Sequence, residues 1–189
     1  MSDLVPGNDG DPLPGEESVI RLAKGIPNRR AGADESAHVA MFADDYNLSS
    51  ADKRGIPPHL SVYAERLTEC RQAWRLLGGR PPYQWQLRFQ VDGARRIRVP
   101  GQVEPIDVRW FRAKVPDGLG NYADDTRPGS MGHAGVINLE KPQADNRECK
   151  LIRKALRSEL AKISSVRPIT PDEMRPEEDS LPLDSPSQN

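Results

Sequence analysis

Hydrophobic and polar residues alternate without interruption between positions 83 and 91, which is the clearest pattern in the chain. Successive side chains of a β-strand point to opposite faces, so this stretch would have one apolar face and one polar face. We therefore predict a half-buried strand at the centre of an antiparallel sheet. Its apolar face carries Tyr83, Trp85, Leu87, Phe89 and Val91, and its polar face carries Gln84, Gln86, Arg88 and Gln90.

Six shorter segments have patterns typical of strands, and they supply the rest of the predicted sheet. They are residues 18–22, 38–42, 59–63, 95–99, 106–111 and 133–139. The segment 95–99 follows Asp92-Gly93, a pair that favours tight turns. We therefore interpret it as the return strand of a hairpin.

Two further segments place apolar residues at the spacing of an amphipathic helix. Thr68 is a candidate N-cap for the first helix, which would end at Gly78-Gly79. The apolar stripes are Leu67, Cys70, Trp74 and Leu77 in the first helix, and Cys149, Ile152, Leu156, Leu160 and Ile163 in the second. Together these elements predict a single α+β domain whose antiparallel sheet is covered on one face by two helices.

The two ends of the chain differ from its middle in composition and charge. Residues 1–17 and 165–189 are rich in proline and acidic residues, so we predict disordered tails around a domain of residues 18–164. The tails hold 11 of the 28 acidic residues and two of the 27 Lys and Arg residues, although the whole chain has a net charge of −1. The middle therefore carries a net charge of about +8, and such a basic body attracts polyanions.

The basic residues suggest a binding function, because clustered Lys and Arg side chains bind phosphates. The leading interpretation is a non-catalytic bacterial accessory protein that binds a protein or a nucleic acid through this surface. The candidate residues are Arg95, Arg96, Arg98, Lys150, Arg153, Lys154 and Arg157. The polar face of the strand at 83–91 is a second candidate surface. Two alternatives remain: an ordinary solvated basic surface, and a structural subunit whose tails order on binding.

The three histidines suggest a different function, that of an enzyme. His38, His59 and His133 each begin or adjoin a predicted strand, so they would converge if those strands shared one sheet. Two histidines and an arginine suit acid–base cleavage of RNA, in which one imidazole accepts a proton and the other donates one. The alternative is that each is an ordinary residue at a strand end. The sequence leaves open whether the protein is an enzyme.

One local resemblance bears on the enzyme hypothesis. The segment His59-Leu60-Ser61 resembles the H-L-S segment of RNA 2′-phosphotransferases, which belong to the ADP-ribosyltransferase-like class. In that family the segment lies in the NAD site and is followed by a short helix, a glycine and a strand. Gly78 and the strand at 83–91 follow here in a similar order. The resemblance implies NAD as a cofactor and His59 as a site residue.

A second resemblance spans more of the chain. Phe42-x-Asp44, Leu60-Ser61-Val62 and Gly132-His133-Ala134 are similar to a pattern in a group of small uncharacterised bacterial proteins. It implies that these segments belong to one domain, and it carries no activity with it.

Several kinds of site are not indicated by the sequence. Two cysteines, Cys70 and Cys149, form neither a disulfide framework nor a metal-binding motif, and we interpret them as small buried apolar residues. We predict no metal site, and no cofactor apart from NAD under the enzyme hypothesis. No window approaches the roughly 18 apolar residues of a membrane span. We therefore expect a cytoplasmic protein without membrane contact, of unknown oligomeric state.

Overall fold

The computed structural model describes residues 4–25, 36–49, 52–54, 56–79, 83–116, 122–139 and 147–174. The strands are β1 (Ser18–Ala23), β2 (Leu60–Ala64), β3 (Trp85–Gln90), β4 (Asp107–Trp110), β5 (Lys114–Pro116), β6 (Tyr122–Asp124), β7 (His133–Ile137) and β8 (Ser165–Pro168). The helices are α1 (Ala37–Phe42), α2 (Cys70–Leu76), α3 (Val91–Arg95) and α4 (Arg147–Ile163). Short 3₁₀ turns cover Ala43–Tyr46, Asp52–Arg54 and Ser130–Gly132.

Six strands form one antiparallel sheet in the order β4-β7-β2-β1-β3-β8, and β5 and β6 form a separate hairpin. The predicted α+β class with an antiparallel sheet is therefore confirmed. The strand predicted at 83–91 exists as β3, but β2 and β1 occupy the middle of the sheet. An alternating pattern shows which side chains share a face of the strand, but it does not show which strands lie beside it. The predicted central position was wrong for this reason.

Hydrophobic residues pack on both faces of the sheet. On one face Val19, Val62 and Phe89 join buried side chains of α1, α3 and α4 in the larger core. On the other face Ile20 and Tyr63 pack against α2 in a smaller core. Neighbouring residues of a strand point to opposite faces, so α2 lies across the sheet from α4. Helices α1 and α4 do share one face, whereas α2 was expected beside α4 and covers the other.

Two predicted strands are helical or irregular in the structure. Residues 38–42 lie in α1, whose N-cap Ser36 accepts a hydrogen bond from the Val39 amide at 3.4 Å. The expected hairpin after β3 is also wrong, because α3 begins directly at Val91 and contains the Asp92-Gly93 pair. In both segments a serine or aspartate at a helix start outweighs a weak alternating pattern.

Helix α2 lies where it was predicted, but its cap differs. Glu69 is the N-cap and forms a capping box with Gln72. The Thr68 hydroxyl instead donates a hydrogen bond to the Gly129 carbonyl at 2.6 Å. Thr68 therefore fixes the loop that precedes β7.

Much of the two predicted tails belongs to the folded domain. Residues 10–13 run along the outer edge of β4, where the amides of Gly10 and Leu13 donate to the Trp110 and Val108 carbonyls at 2.8 and 2.9 Å. At the other end β8 pairs with β3, and Ile169 is buried. Disorder was wrongly expected for these segments, because their backbones cover both exposed edges of the sheet. Ordered structure therefore extends beyond the predicted limits of residues 18 and 164, and residues 1–3 and 175–189 lie outside the described residues.

Candidate functional site

The structure brings two of the three histidines together. His133 begins β7 and lies opposite Tyr63 of the adjacent strand β2. His59 directly precedes β2 and lies over Gly135, where an added Cβ would be 2.5 Å from His59 Cδ2. The centroids of the two imidazole rings are 5.9 Å apart. The antiparallel pairing of β2 with β7, together with the absence of a side chain at Gly135, therefore produces the histidine pair.

Both imidazoles are held in the same tautomer by the backbone. His59 Nδ1 lies 3.0 Å from the Pro57 carbonyl, and His133 Nδ1 lies 2.9 Å from the Phe111 carbonyl. A carbonyl oxygen only accepts hydrogen bonds, so each Nδ1 carries the proton. In the neutral ring each Nε2 then has a lone pair. Among the described residues, neither Nε2 has a hydrogen-bond partner.

Aromatic side chains surround the pair and reduce its contact with water. The Phe111 ring stacks on His59 at a centroid distance of 3.9 Å with an angle of 1° between the planes. Tyr63 lies 5.5 Å from His133 on the other side. Burial lowers the pKa of His133 to about 4, and the charge of His59 acts in the same direction, although the bond to Phe111 opposes them. His133 is therefore neutral at pH 7 and can accept a proton.

The ionised carboxylate of Asp52 lies close to the histidine pair and fixes the backbone beside it. The Asp52 carboxylate accepts hydrogen bonds from the Ser61 hydroxyl and amide at 2.7 and 3.2 Å, and the Asp52 carbonyl accepts from the His59 amide at 3.3 Å. Burial would raise the pKa of Asp52, but Arg21 and the hydroxyl bonds outweigh burial and hold it below its usual value. Asp52 thus fixes the backbone around His59 and keeps a negative charge close to the site.

A cleft of about 690 Å³ opens beside the pair. Its walls are the N-terminal residues 6–9, the end of β4 and the segment 124–131. His133 and Phe111 line the cleft, whereas His59 does not. The N-terminal wall is fixed because Asp9 accepts a hydrogen bond from the Arg112 amide at 2.6 Å. The segment that was expected to be disordered therefore forms one side of the cleft.

Two arginines in the cleft differ in how many donors they have left. Arg127 donates to both oxygens of Asp125 and to the carbonyls of Arg75 and Leu76, so its role is structural. Arg112 donates through Nη1 to Asp124 at 2.8 Å. No described residue accepts from Nε or Nη2 of Arg112, which leaves those donors facing solvent or a ligand.

The third histidine does not join the pair. His38 lies on α1, and its Nε2 is 2.8 Å from the Ala161 carbonyl of α4. Its ring also contacts Phe42 at a centroid distance of 5.3 Å. The expectation that all three histidines converge is therefore wrong for His38, because residues 38–42 form a helix and not a strand of the sheet.

The predicted basic residues fall into two structural groups. Arg95 has a structural role, because it pairs with Asp107 at 2.8 Å and donates to the Leu13 carbonyl at 2.9 Å. Arg96 and Arg98 are exposed just beyond α3, which packs against α4. Of the four predicted basic residues on α4, Lys150 is exposed, and Arg153, Lys154 and Arg157 are half-buried.

The polar face of β3 is partly covered. Gln86 is 5% exposed and accepts a hydrogen bond from Arg167 of β8. Arg88 forms an ion pair with Glu65 at 2.6 Å. Only Gln84 and Gln90 of the predicted set are exposed without a polar partner among the described side chains. This face is therefore a weaker candidate surface than the sequence indicated.

Comparison with known proteins adds no relative. No family model matches the chain, and no curated protein or solved structure is significantly similar to it. Within the described part of the chain, no helix is long and apolar enough to cross a membrane. The same residues contain no group of three or more His, Cys, Asp or Glu side chains that could hold a metal ion.

Phe111, Arg112 and Asp52 were not identified as site residues from the sequence. Phe111 gave a usable signal, since it occupies the polar side of the 106–111 alternation, where an aromatic ring has no place in the core. Arg112 and Asp52 gave none. Both lie in irregular or 3₁₀ segments, and only the fold brings them to the histidines.

Proposed function

We propose that this protein is a small acid–base enzyme that cleaves RNA phosphodiester bonds, with His59 and His133 as its catalytic residues. The observation that carries the proposal is the pair itself. Two imidazoles lie 5.9 Å apart, and each has its Nδ1–H held by a backbone carbonyl. Both Nε2 atoms are thereby left for proton transfer, and a common substrate would extend beyond the cleft lined by His133 to reach His59.

The proposed step needs no co-reactant. His133 Nε2 removes the proton from a ribose 2′-hydroxyl, and the 2′-oxygen attacks the adjacent phosphorus. The bond from phosphorus to the 5′-oxygen breaks, and the leaving oxygen takes a proton from the His59 imidazolium. The products are a 2′,3′-cyclic phosphate and a 5′-hydroxyl. The low pKa of His133 keeps its imidazole neutral at pH 7 and able to accept a proton, so we assign it as the base and assign His59 as the acid.

This proposal is tested by product analysis on an oligoribonucleotide. Mass spectrometry should detect a 2′,3′-cyclic phosphate with wild type and not with a fully 2′-deoxy substrate. His38→Asn is the matched control, since His38 lies outside the pair and should retain full activity. A parallel reaction with NAD and a 2′-phosphorylated RNA tests the transferase implied by His59-Leu60-Ser61. Product formation that requires NAD would replace the cleavage mechanism with that transferase.

A second candidate function is binding of a nucleic acid or protein through the basic surface. It is favoured by the exposure of Arg96 and Arg98 beside α4, where Lys150 is also exposed. Fluorescence anisotropy with single-stranded RNA and double-stranded DNA at two salt concentrations tests it. The comparison uses the full chain and residues 4–174, because residues 4–17 and β8 complete the sheet edges. Tighter binding by the shorter chain, weakening with salt, would support acidic tails that screen this surface.

A further inference from the structure

We infer that the cleft beside the histidines binds a nucleotide, with its base stacked on Phe111 and its phosphate between Arg112 and His133. This inference deepens the proposed function by naming the group the cleft recognises. Nucleotide binding can be measured whether or not the chain cleaves RNA.

The Phe111 ring is placed where a base could stack on it. His59 covers one face of this ring in a parallel stack. Phe111 also lines the cleft, and His59 does not. The face of Phe111 that points away from His59 is therefore the one available to the cleft. A base placed there would extend a stack that already contains two rings, and base–aromatic stacking contributes about 1–3 kcal/mol per base.

Apolar surface also lies at the rim of the cleft. Met131 lines the same cleft, and its side chain is 68% exposed and so accessible to a ligand. Its thioether is adaptable and makes favourable contacts with aromatic rings. The cleft volume of about 690 Å³ lies within the usual range for small-ligand sites. Phe111 and Met131 thus supply two apolar surfaces for a flat ring.

Arg112 and Arg127 differ in the hydrogen-bond donors that they can offer to a ligand. Arg127 is committed to Asp125 and two carbonyls, so it cannot recognise a ligand without losing those bonds. Arg112 retains Nε and Nη2, which suit a phosphate. His133 lines the same cleft. Three carboxylates also line the cleft, those of Asp9, Asp124 and Asp125, and they disfavour a highly charged polyphosphate, so a single phosphodiester or monophosphate fits best.

Isothermal titration with AMP tests this inference on the full chain. Phe111→Leu should weaken AMP binding at least about fivefold, the lower end of the stacking range. Phe111→Tyr should bind normally. Tyr122→Leu is the matched control, because Tyr122 is an exposed aromatic residue of the neighbouring hairpin that does not line the cleft. Equal affinity in Phe111→Leu and wild type would overturn the base site.

A matched pair of variants tests the proposed contact between Arg112 and the phosphate. Arg112 and Lys114 both pair with Asp124, but only Arg112 lines the cleft. Arg112→Gln should weaken AMP binding and leave adenosine binding unchanged, whereas Lys114→Gln should change neither. Inorganic phosphate that binds as tightly as AMP would contradict a nucleotide site.

Binding to the wild-type protein also distinguishes the nucleotide source. Oligoadenylate with 2′-deoxy sugars, AMP and NAD are compared, and the tightest ligand identifies whether a strand, a mononucleotide or a dinucleotide is recognised. Nuclear Overhauser contacts between adenine protons and the Phe111 ring are expected, and their absence in a saturated complex would overturn the proposal. Parallel measurements of AMP binding and RNA cleavage on the wild-type protein separate this inference from the proposed function. AMP binding by a wild-type protein that does not cleave RNA would sink the enzyme and keep the nucleotide site.

Discussion

The half-buried imidazole of His133 should make the stability of the protein depend on pH in a specific way. Its pKa is about 4 in the folded state and about 6.5 when unfolded, so between these values the unfolded chain binds more protons. Stability is therefore present above pH 6.5 and falls as the pH drops toward 4. The linkage relation gives a loss of about 2 kcal/mol at pH 5 and about 3 kcal/mol at pH 4.

The substitution that isolates this effect is His133→Asn. Asparagine keeps an N–H close to the position of Nδ1, so the hydrogen bond to the Phe111 carbonyl can persist while the titration disappears. Urea unfolding monitored by far-UV circular dichroism at pH 7, 6 and 5 gives the free energy of unfolding for each protein. The wild type should lose about 2 kcal/mol more than the variant between pH 7 and pH 5.

Because the variant and the wild type differ only at residue 133, the difference between their free energies of unfolding cancels the contributions of the other titrating groups. The low pKa values of Asp52 and Glu173 also reduce stability in acid, but they contribute equally to both proteins. Identical pH dependence in wild type and His133→Asn would refute the burial of a neutral His133.

Three further predictions concern the framework of the site. Gly135→Ala should destabilise the protein by about 1–3 kcal/mol and displace His59, as measured by urea unfolding and by the His59 ring resonances; unchanged resonances would contradict the close packing. Asp52→Asn should cost about 1–3 kcal/mol, because charge-assisted hydrogen bonds to the start of β2 are lost, and a neutral result would show that these bonds do not stabilise the fold. A chain ending at residue 164 should lose the β8 ladder and unfold at a lower temperature than one ending at 174; equal melting temperatures would mean that β8 is dispensable.

The elements with regular, apolar patterns were predictable from the sequence. The alternation at 83–91 and the stripe from Cys149 to Ile163 gave β3 and α4, because burial of one face sets the period of the pattern. The segment 38–42 is too short for its hydrophobic pattern to distinguish a strand from a helix, and the N-cap Ser36 stabilises the helix that it forms. Residues 4–17 and 165–168 are polar and proline-rich, and they are ordered by backbone hydrogen bonds to sheet edges, which composition does not record.

The site was only partly predictable for a similar reason. His59 and His133 were identified as candidates because each adjoins a strand. Their spacing depends on the pairing of Tyr63 with His133 between β2 and β7, and no local pattern specifies that pairing. The alternation at 106–111 marks Phe111 as an aromatic residue outside the core, but its stacking on His59, 52 positions away in sequence, emerged only from the fold.

The central claim is that His59 and His133 act together on one substrate. It is tested most directly by the rate at which the purified protein cleaves a fluorescent oligoribonucleotide, compared with His59→Asn, His133→Asn and the double variant. Acid–base catalysis contributes about 10²–10⁴-fold, so each single variant should lose at least about 100-fold. The double variant should be little slower than either single one, because the two groups act as a unit. No cleavage by the wild type, or equal rates in wild type and single variants, would contradict the account.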